Sequence, residues 1–304
     1  MWNPFKKAAG PARSVEAPKE PVAQAVSDDV ARAERLMAMI SVADSGLQLA
    51  TFLKDHGIQI RFLDALPQGD TVGTCVLNTR RIDGLSPYRF TLEKPVINLL
   101  NTATDAKAAM ALLHEGRHAM QAESGLHPVT RYLSRDDTKS YIRMVEADAG
   151  SFTIITALKI FMSTGDDSIL KASVRTLADD DCLAKIVKLA KEYGPHVASE
   201  PAAQRALFDA WFADKAQVAR YDRYSDACWQ SISAAVHESL GVSPVPPPLT
   251  KADFIGLGTL THKDNYLTVE GAPDVSIACA LGAESKPSRP AAAPAVKAPA
   301  PPRP

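Results

Sequence analysis

Two histidines and a glutamate stand together at His114-Glu115-Gly116-Arg117-His118. Histidines four positions apart lie one helical turn apart, so on a helix both imidazoles leave the same face and can hold one zinc ion. Met110 belongs to the same stripe, while Glu115 lies about 100° around the helix from His114. A carboxylate so placed can take a proton from water at the metal without being a ligand itself. Zinc lowers the pKa of bound water from near 16 to about 7, and the hydroxide attacks a carbonyl polarised by the same ion. Peptide hydrolysis is the natural outcome, with Glu115 passing the proton to the departing amine. The oxyanion formed in between needs a donor besides the metal. Tyr132, Tyr141, His127, Tyr224 and His237 are candidates, and the sequence singles out none of them.

This chemistry requires a helix, and residues 102–121 supply one: they are rich in alanine, leucine and methionine and contain no proline. Thr102 with Asp105 reads as a capping pair, and Gly125 as a stop. Gly116, inside the helix, costs about 1 kcal/mol in propensity and removes bulk near the site. Zinc in a hydrolase takes three protein ligands and leaves a fourth position open. A histidine six residues after His118, with a glycine midway, is one source of the third; Ser124 and Gln121 occupy those positions and exclude it. A glutamate on a following helix is another. Residues 138–162 read as such a helix, with Asp136 and Asp137 suited to its amino end and Glu146 in its middle. Ala149 and Gly150, one turn on, are small enough to let the two helices approach closely. A buried, unpaired glutamate is expensive, and a metal is a ready partner. Competing readings exist for each residue. The histidines can be a buried, hydrogen-bonded pair, and Glu146 can pair along its own helix with Arg143 or Lys139. His127, in a loop after Gly125, is a rival third ligand; Asp136 and Asp137 are weaker rivals because capping already explains them.

On these residues the chain resembles the gluzincin metallopeptidases, HExxH zinc enzymes with a helix-borne glutamate, and in particular bacterial ones with no assigned substrate. The resemblance covers roughly residues 95–162. It implies zinc held by His114, His118 and Glu146, with Glu115 as catalytic base. Many members carry an aspartate four residues after the third ligand to support a histidine. That position here is Gly150, and the nearest acid, Asp148, faces roughly away from Glu146 on a helix. The groups supporting the histidines are therefore unassigned. In zinc peptidases of this layout an edge strand beside the site holds the extended substrate backbone. Val96–Leu100 or residues 88–92 fit that part, although either can equally be interior.

The rest of the chain must position these residues. A helical run over 27–56 ends at Gly57, and short strand-like segments follow at 58–62, 74–79, 88–92 and 96–100. After residue 162 apolar spacing suggests helices at 168–178, 181–193, 201–221 and 225–240, forming a lobe that faces the metal. The expected fold is α+β and zincin-like, helix-dominated, with a small, mainly antiparallel sheet ahead of the histidine helix. Residues 28–245 form its domain, and residues 246–282 a segment packing on it. Residues 1–27 and the Pro/Ala-rich 283–304 are expected to be disordered tails. Gly256-Leu257-Gly258 lacks a third glycine at 261, which argues against a nucleotide loop.

With 34 basic and 35 acidic residues the net charge is −1, giving no electrostatic case for nucleic acid or membrane binding. Cys75, Cys182, Cys228 and Cys279 are scattered without a CxxC pair, as free thiols in a reducing compartment would be. The first residues lack the apolar core of a secretory signal, and the longest apolar stretch, 152–162, is too short to span a bilayer. The expectation is a cytoplasmic zinc peptidase acting on peptides or proteins. Two other classes stay open: an inactive protein in which zinc ties two helices together, and a zinc hydrolase of a non-peptide amide.

Overall fold

A computed structural model of the chain describes residues 21–67, 71–77, 79–81, 90–92, 94–126, 134–177, 201–230, 254–260 and 265–268. The helical run expected over 27–56 is two helices, α1 (Pro21–Ile40) and α2 (Asp44–Asp55). They part at Ser41, whose N–H and hydroxyl both turn back to the Met37 carbonyl, at 3.0 and 2.6 Å. Gly57, at φ +60°, ends α2 in the left-handed conformation that glycine adopts most readily.

Five short strands follow: β1 (Gln59–Leu63), β2 (Gly73–Val76), β3 (Thr79–Arg81), β4 (Phe90–Leu92) and β5 (Val96–Leu100). β5 is central in a three-stranded sheet, parallel to β1 and antiparallel to β2, while β3 and β4 pair with each other. The sheet is therefore mixed where a mainly antiparallel one was expected. A strand flanked on both edges and covered by helices is buried throughout, and Ile97, Asn98 and Leu99 in the middle of β5 are all buried.

The chain then enters α3 (Asp105–Gln121), which carries the histidines. Its cap is Thr104, whose hydroxyl accepts from the Lys107 N–H, and not Thr102. Arg32 of α1 braces this entry, donating to the Asn101 carbonyl at 2.7 Å, the Ala103 carbonyl at 2.5 Å and Asp105 at 3.3 Å. At its far end α3 runs into a π-helical turn, Ala122–Leu126, instead of stopping at a glycine. The glutamate helix, α4 (Arg135–Thr164), is capped by Ser134, which accepts from the Asp137 N–H at 3.0 Å, with Asp136 and Asp137 in its first turn. It ends at Gly165, φ +77°.

Then come α5 (Ser168–Leu177), α6 (Pro201–Ala213) and α7 (Lys215–Cys228). The single helix expected over 201–221 divides because Asp214 caps a new one, accepting from the Gln217 N–H at 2.9 Å. The helix expected at 181–193 and most of that at 225–240 lie outside the described residues, as do residues 1–20 and 283–304. Two short 3₁₀ turns, Gly256–Thr259 and Tyr266–Thr268, complete the described chain.

α3 lies at the centre. Its Ala108, Ala109, Leu112 and Leu113 pack with α1, α2, β5 and α5 into one apolar cluster. A second cluster joins Tyr141, Met144 and Ala147 of α4 to Phe208 and Trp211 of α6 and to Phe254, Leu257, Tyr266 and Leu267. The observed architecture is α+β and helix-dominated. No helix among the described residues is long and apolar enough to cross a membrane.

Candidate metal centre

His114 and His118 project from α3 toward Glu146 on α4. The two Nε2 atoms are 3.3 Å apart; His114 Nε2 is 3.3 Å from Glu146 Oε2, and His118 Nε2 is 3.5 Å from Glu146 Oε1. Glu146 pairs with neither Arg143 nor Lys139: Arg143 goes to Asp222 at 2.7 Å and Lys139 to Asp226 at 3.1 Å. Burial alone would raise the Glu146 carboxyl, but the His118 and His114 imidazoles and the Tyr221 hydroxyl outweigh it and hold it at about 2. At His114 burial disfavours the charged ring, while the bond to Glu146 and the fields of Glu115 and Glu146 reverse that and raise its pKa.

Hydrogen bonds show what these atoms present to one another. Gln121 Nε2 donates to the Val145 carbonyl at 3.0 Å and to Asp148 at 2.7 Å, so Gln121 Oε1 must face His118. His118 Nδ1 therefore donates to Oε1, at 2.8 Å, and His118 Nε2 is left as a lone pair aimed into the cluster. With neutral rings and an ionised Glu146, at most one hydrogen, on His114 Nε2, lies among four converging acceptor atoms. Such a surplus of lone pairs fits a cation, and two imidazoles with a carboxylate are the donors that a borderline divalent metal such as zinc prefers. Among the described residues these three form the one group with metal-ligand chemistry and spacing.

Glu115 sits beside this group, where its Oε2 accepts from the Cys75 N–H at 2.7 Å. The ladder explains why that N–H is free of the sheet. Leu100 N–H bonds the Val72 carbonyl at 2.8 Å, and alternation then turns the N–H and C=O groups of Gly73 and Cys75 away from β5. A cavity of about 450 Å³ opens over the cluster. β2 forms one wall, with Gly73 and Cys75, and α7 contributes Arg220, Tyr221 and Tyr224. Burial, with the nearby Glu146 charge at Tyr221 and Cys228 at Tyr224, raises both phenols, so each keeps its proton and can donate it to an anion.

Residues 87–267 match the model of a family described as "Putative metallopeptidase family (DUF6782)", a span of more than half the chain. The chain belongs to this family. No curated protein and no solved structure matches it. The matched span holds α3, α4, α7 and the segment through Leu267, so it includes the whole cluster and every residue lining the cavity except those of β2 and Thr71 and Val72 before it.

The fold brings His114, His118, Glu146 and Glu115 together, as the sequence reading expects. Of the five proposed oxyanion donors, Tyr224 lines the cavity. Tyr141 is buried in the second core cluster. His127, Tyr132 and His237 lie outside the described residues. Asp136 and Asp137 stay at the cap of α4. Cys75 and Cys228 form no disulfide among the described residues, and Cys182 and Cys279 lie outside them.

Several expectations change. Val96–Leu100 is a central strand, and residues 90–92 pair with β3, so β2 is the strand whose outer edge meets the cavity. Gly116 makes room for α2, not for the site: a Cβ there would lie 2.9 Å from both methyls of Leu49. Gly150 faces α6, where a Cβ would meet Trp211 at 3.7 Å. Arg220, Tyr221 and Gln121 were not singled out beforehand. For Tyr221 and Arg220 no signal was available, because only the packing of α7 on α4 brings them to the cavity.

Proposed function

We propose that this family member is a zinc-dependent peptidase of the gluzincin type on a zincin-like domain, with His114, His118 and Glu146 holding the metal and Glu115 as general base. The convergence of two Nε2 atoms and a carboxylate within 3.5 Å, with Glu115 at the margin, carries this reading. When bound, zinc supplies Lewis acidity toward a carbonyl oxygen and acidifies water. Glu115 is the one carboxylate of the cavity not engaged with the histidines, and the Cys75 N–H holds one of its oxygens. Its other oxygen is left to take the proton of the attacking water and deliver it to the departing amine. Tyr221, Tyr224 and Arg220 line the same cavity and are the donors it offers to negative charge developing on a carbonyl oxygen. With the Cys75 N–H taken by Glu115, the outward N–H and C=O of Gly73 and the C=O of Cys75 are what β2 offers an extended peptide to pair with.

Glu115→Gln is the decisive variant. It keeps the shape of the side chain and removes the base, so zinc content should stay at the wild-type level while cleavage of an unbiased peptide library falls about 10²- to 10⁴-fold. Unchanged cleavage would remove Glu115 from the mechanism. A wild-type chain that binds zinc but cuts no peptide would instead leave the metal either as a tie between α3 and α4 or as the centre of a hydrolase of non-peptide amides.

A further inference from the structure

Asp148 is the most heavily bonded carboxylate described in the molecule, and its own side chain is fully buried. Arg117 Nε and Nη2 reach it at 2.7 and 2.9 Å, the Tyr266 hydroxyl at 2.6 Å and Gln121 Nε2 at 2.7 Å. Arg117 Nη2 also donates to the Leu257 carbonyl at 3.0 Å. Four charge-assisted bonds on one buried acid form a rigid anchor, since loss of any donor leaves charge uncompensated in a low dielectric. Of these groups, Gln121 is the one that hydrogen-bonds a histidine of the cluster among the described residues. Its amide cannot rotate, because Nε2 already serves two acceptors, Asp148 and the Val145 carbonyl, and a flip would set oxygen against oxygen at both. By contrast, His114 Nδ1 is buried without a hydrogen-bond partner among the described residues. His118 is therefore the ring whose tautomer the protein imposes.

We infer that Gln121, locked by Asp148, is a positioning residue that holds His118 as the Nδ1–H tautomer and so keeps its Nε2 lone pair directed at the metal position. The inference takes the peptidase reading as its purpose, but the tautomer itself is a property of the metal-free protein. It also supplies what the sequence left unassigned. The supporting aspartate expected four residues after Glu146 is absent, and Asp148 does the same work through an intervening amide from the opposite face of α4.

The test uses the full-length, metal-free chain labelled with ¹⁵N at about pH 8.5, above the imidazole range. Long-range ¹H–¹⁵N correlation, with His118 assigned by difference from His118→Gln, should show a pyrrole-type Nδ1 and a pyridine-type Nε2. In Gln121→Met, which keeps length but replaces the amide oxygen with a weakly accepting thioether, that preference should be lost. Zinc affinity from chelator competition should fall about 10- to 100-fold in the same variant. A merely structural glutamine would move neither the tautomer nor its link to affinity. A wild-type His118 protonated at Nε2 overturns the inference without any variant, so the test stands even if Gln121→Met fails to fold. A Gln121→Met protein that retains both the tautomer and the affinity overturns it as well. Should wild-type His118 be the Nδ1–H tautomer while the chain binds no zinc, the relay is upheld and the peptidase reading is the one that fails.

Discussion

Gly116 and Gly150 both interrupt good helices near a proposed ligand, yet they meet different neighbours. A Cβ at 116 would press on both methyls of Leu49, which is fully buried and must shift to admit it. Overpacking of this kind costs about 1–3 kcal/mol, against which alanine returns about 1 kcal/mol of helix propensity. Gly116→Ala should therefore lose up to about 2 kcal/mol, while Gly150→Ala, with Trp211 at ordinary contact distance, should gain up to about 1 kcal/mol. Urea unfolding of both variants checks the contrast; equal midpoints would mean that α2 shifts freely on α3. Residue types and spacing made His114, Glu115, His118 and Glu146 legible in advance, because metal chemistry restricts which side chains can serve and the helix repeat fixes which of them share a face. Gln121 and Asp148 were hidden. Asp148 does face away from Glu146, as the helix angle requires, and only the crossing of α3 over α4 lets an amide three residues past His118 reach it.

At the scale of elements, α7 reaches the cavity because it is riveted to α4. Arg135, Lys139 and Arg143 recur every four residues on α4 and meet Asp222 and Asp226, themselves four apart on α7. Hydrogen bonding to Arg135, helped by Lys139, outweighs desolvation and holds the Asp226 carboxyl at about 2, below its value in an unfolded chain, near 3.9. The native state thus binds fewer protons at this site. The stabilisation is fully present above about pH 4 and disappears as pH falls toward 2. The gap in melting temperature between wild type and Asp226→Asn should accordingly stay constant from neutral pH down to about 4.5 and close below it. A gap that widens on acidification would contradict the pairing. Periodicity foretold β5, α4 and α5 well, since each has long or strongly apolar patterning. It could not foretell that β5 would pair parallel with β1, because a strand's partner is not written in its own residues, nor the breaks at Ser41 and Asp214, where single side chains compete with the backbone for its hydrogen bonds.

For the molecule as a whole, the site depends on residues remote from it in sequence. Tyr266 and Leu257 come from the segment expected to pack on the domain, yet both are fully buried against α4 and α6, and each also bonds the Asp148–Arg117 pair. We propose that the folding unit of this chain runs through residue 268, as the family match to residue 267 supports. Such a segment contributes twice, by apolar burial and by completing the partners of a buried charge, and two substitutions separate the contributions. Tyr266→Phe keeps the ring and removes one donor from Asp148, which should cost about 1.5–3 kcal/mol. Tyr266→Ala removes the ring as well, opens a cavity beside Phe208 and should cost at least about 3–5 kcal/mol, as a central core residue would. Urea titration monitored by tryptophan fluorescence suits both, because Trp211 lies in the same cluster. If Tyr266→Ala unfolds within about 1 kcal/mol of wild type, the segment is an appendage and the folding unit ends before it. If it costs what the burial demands, the segment belongs to the core, and the acid to which Gln121 is bonded keeps all its partners only when that segment has docked.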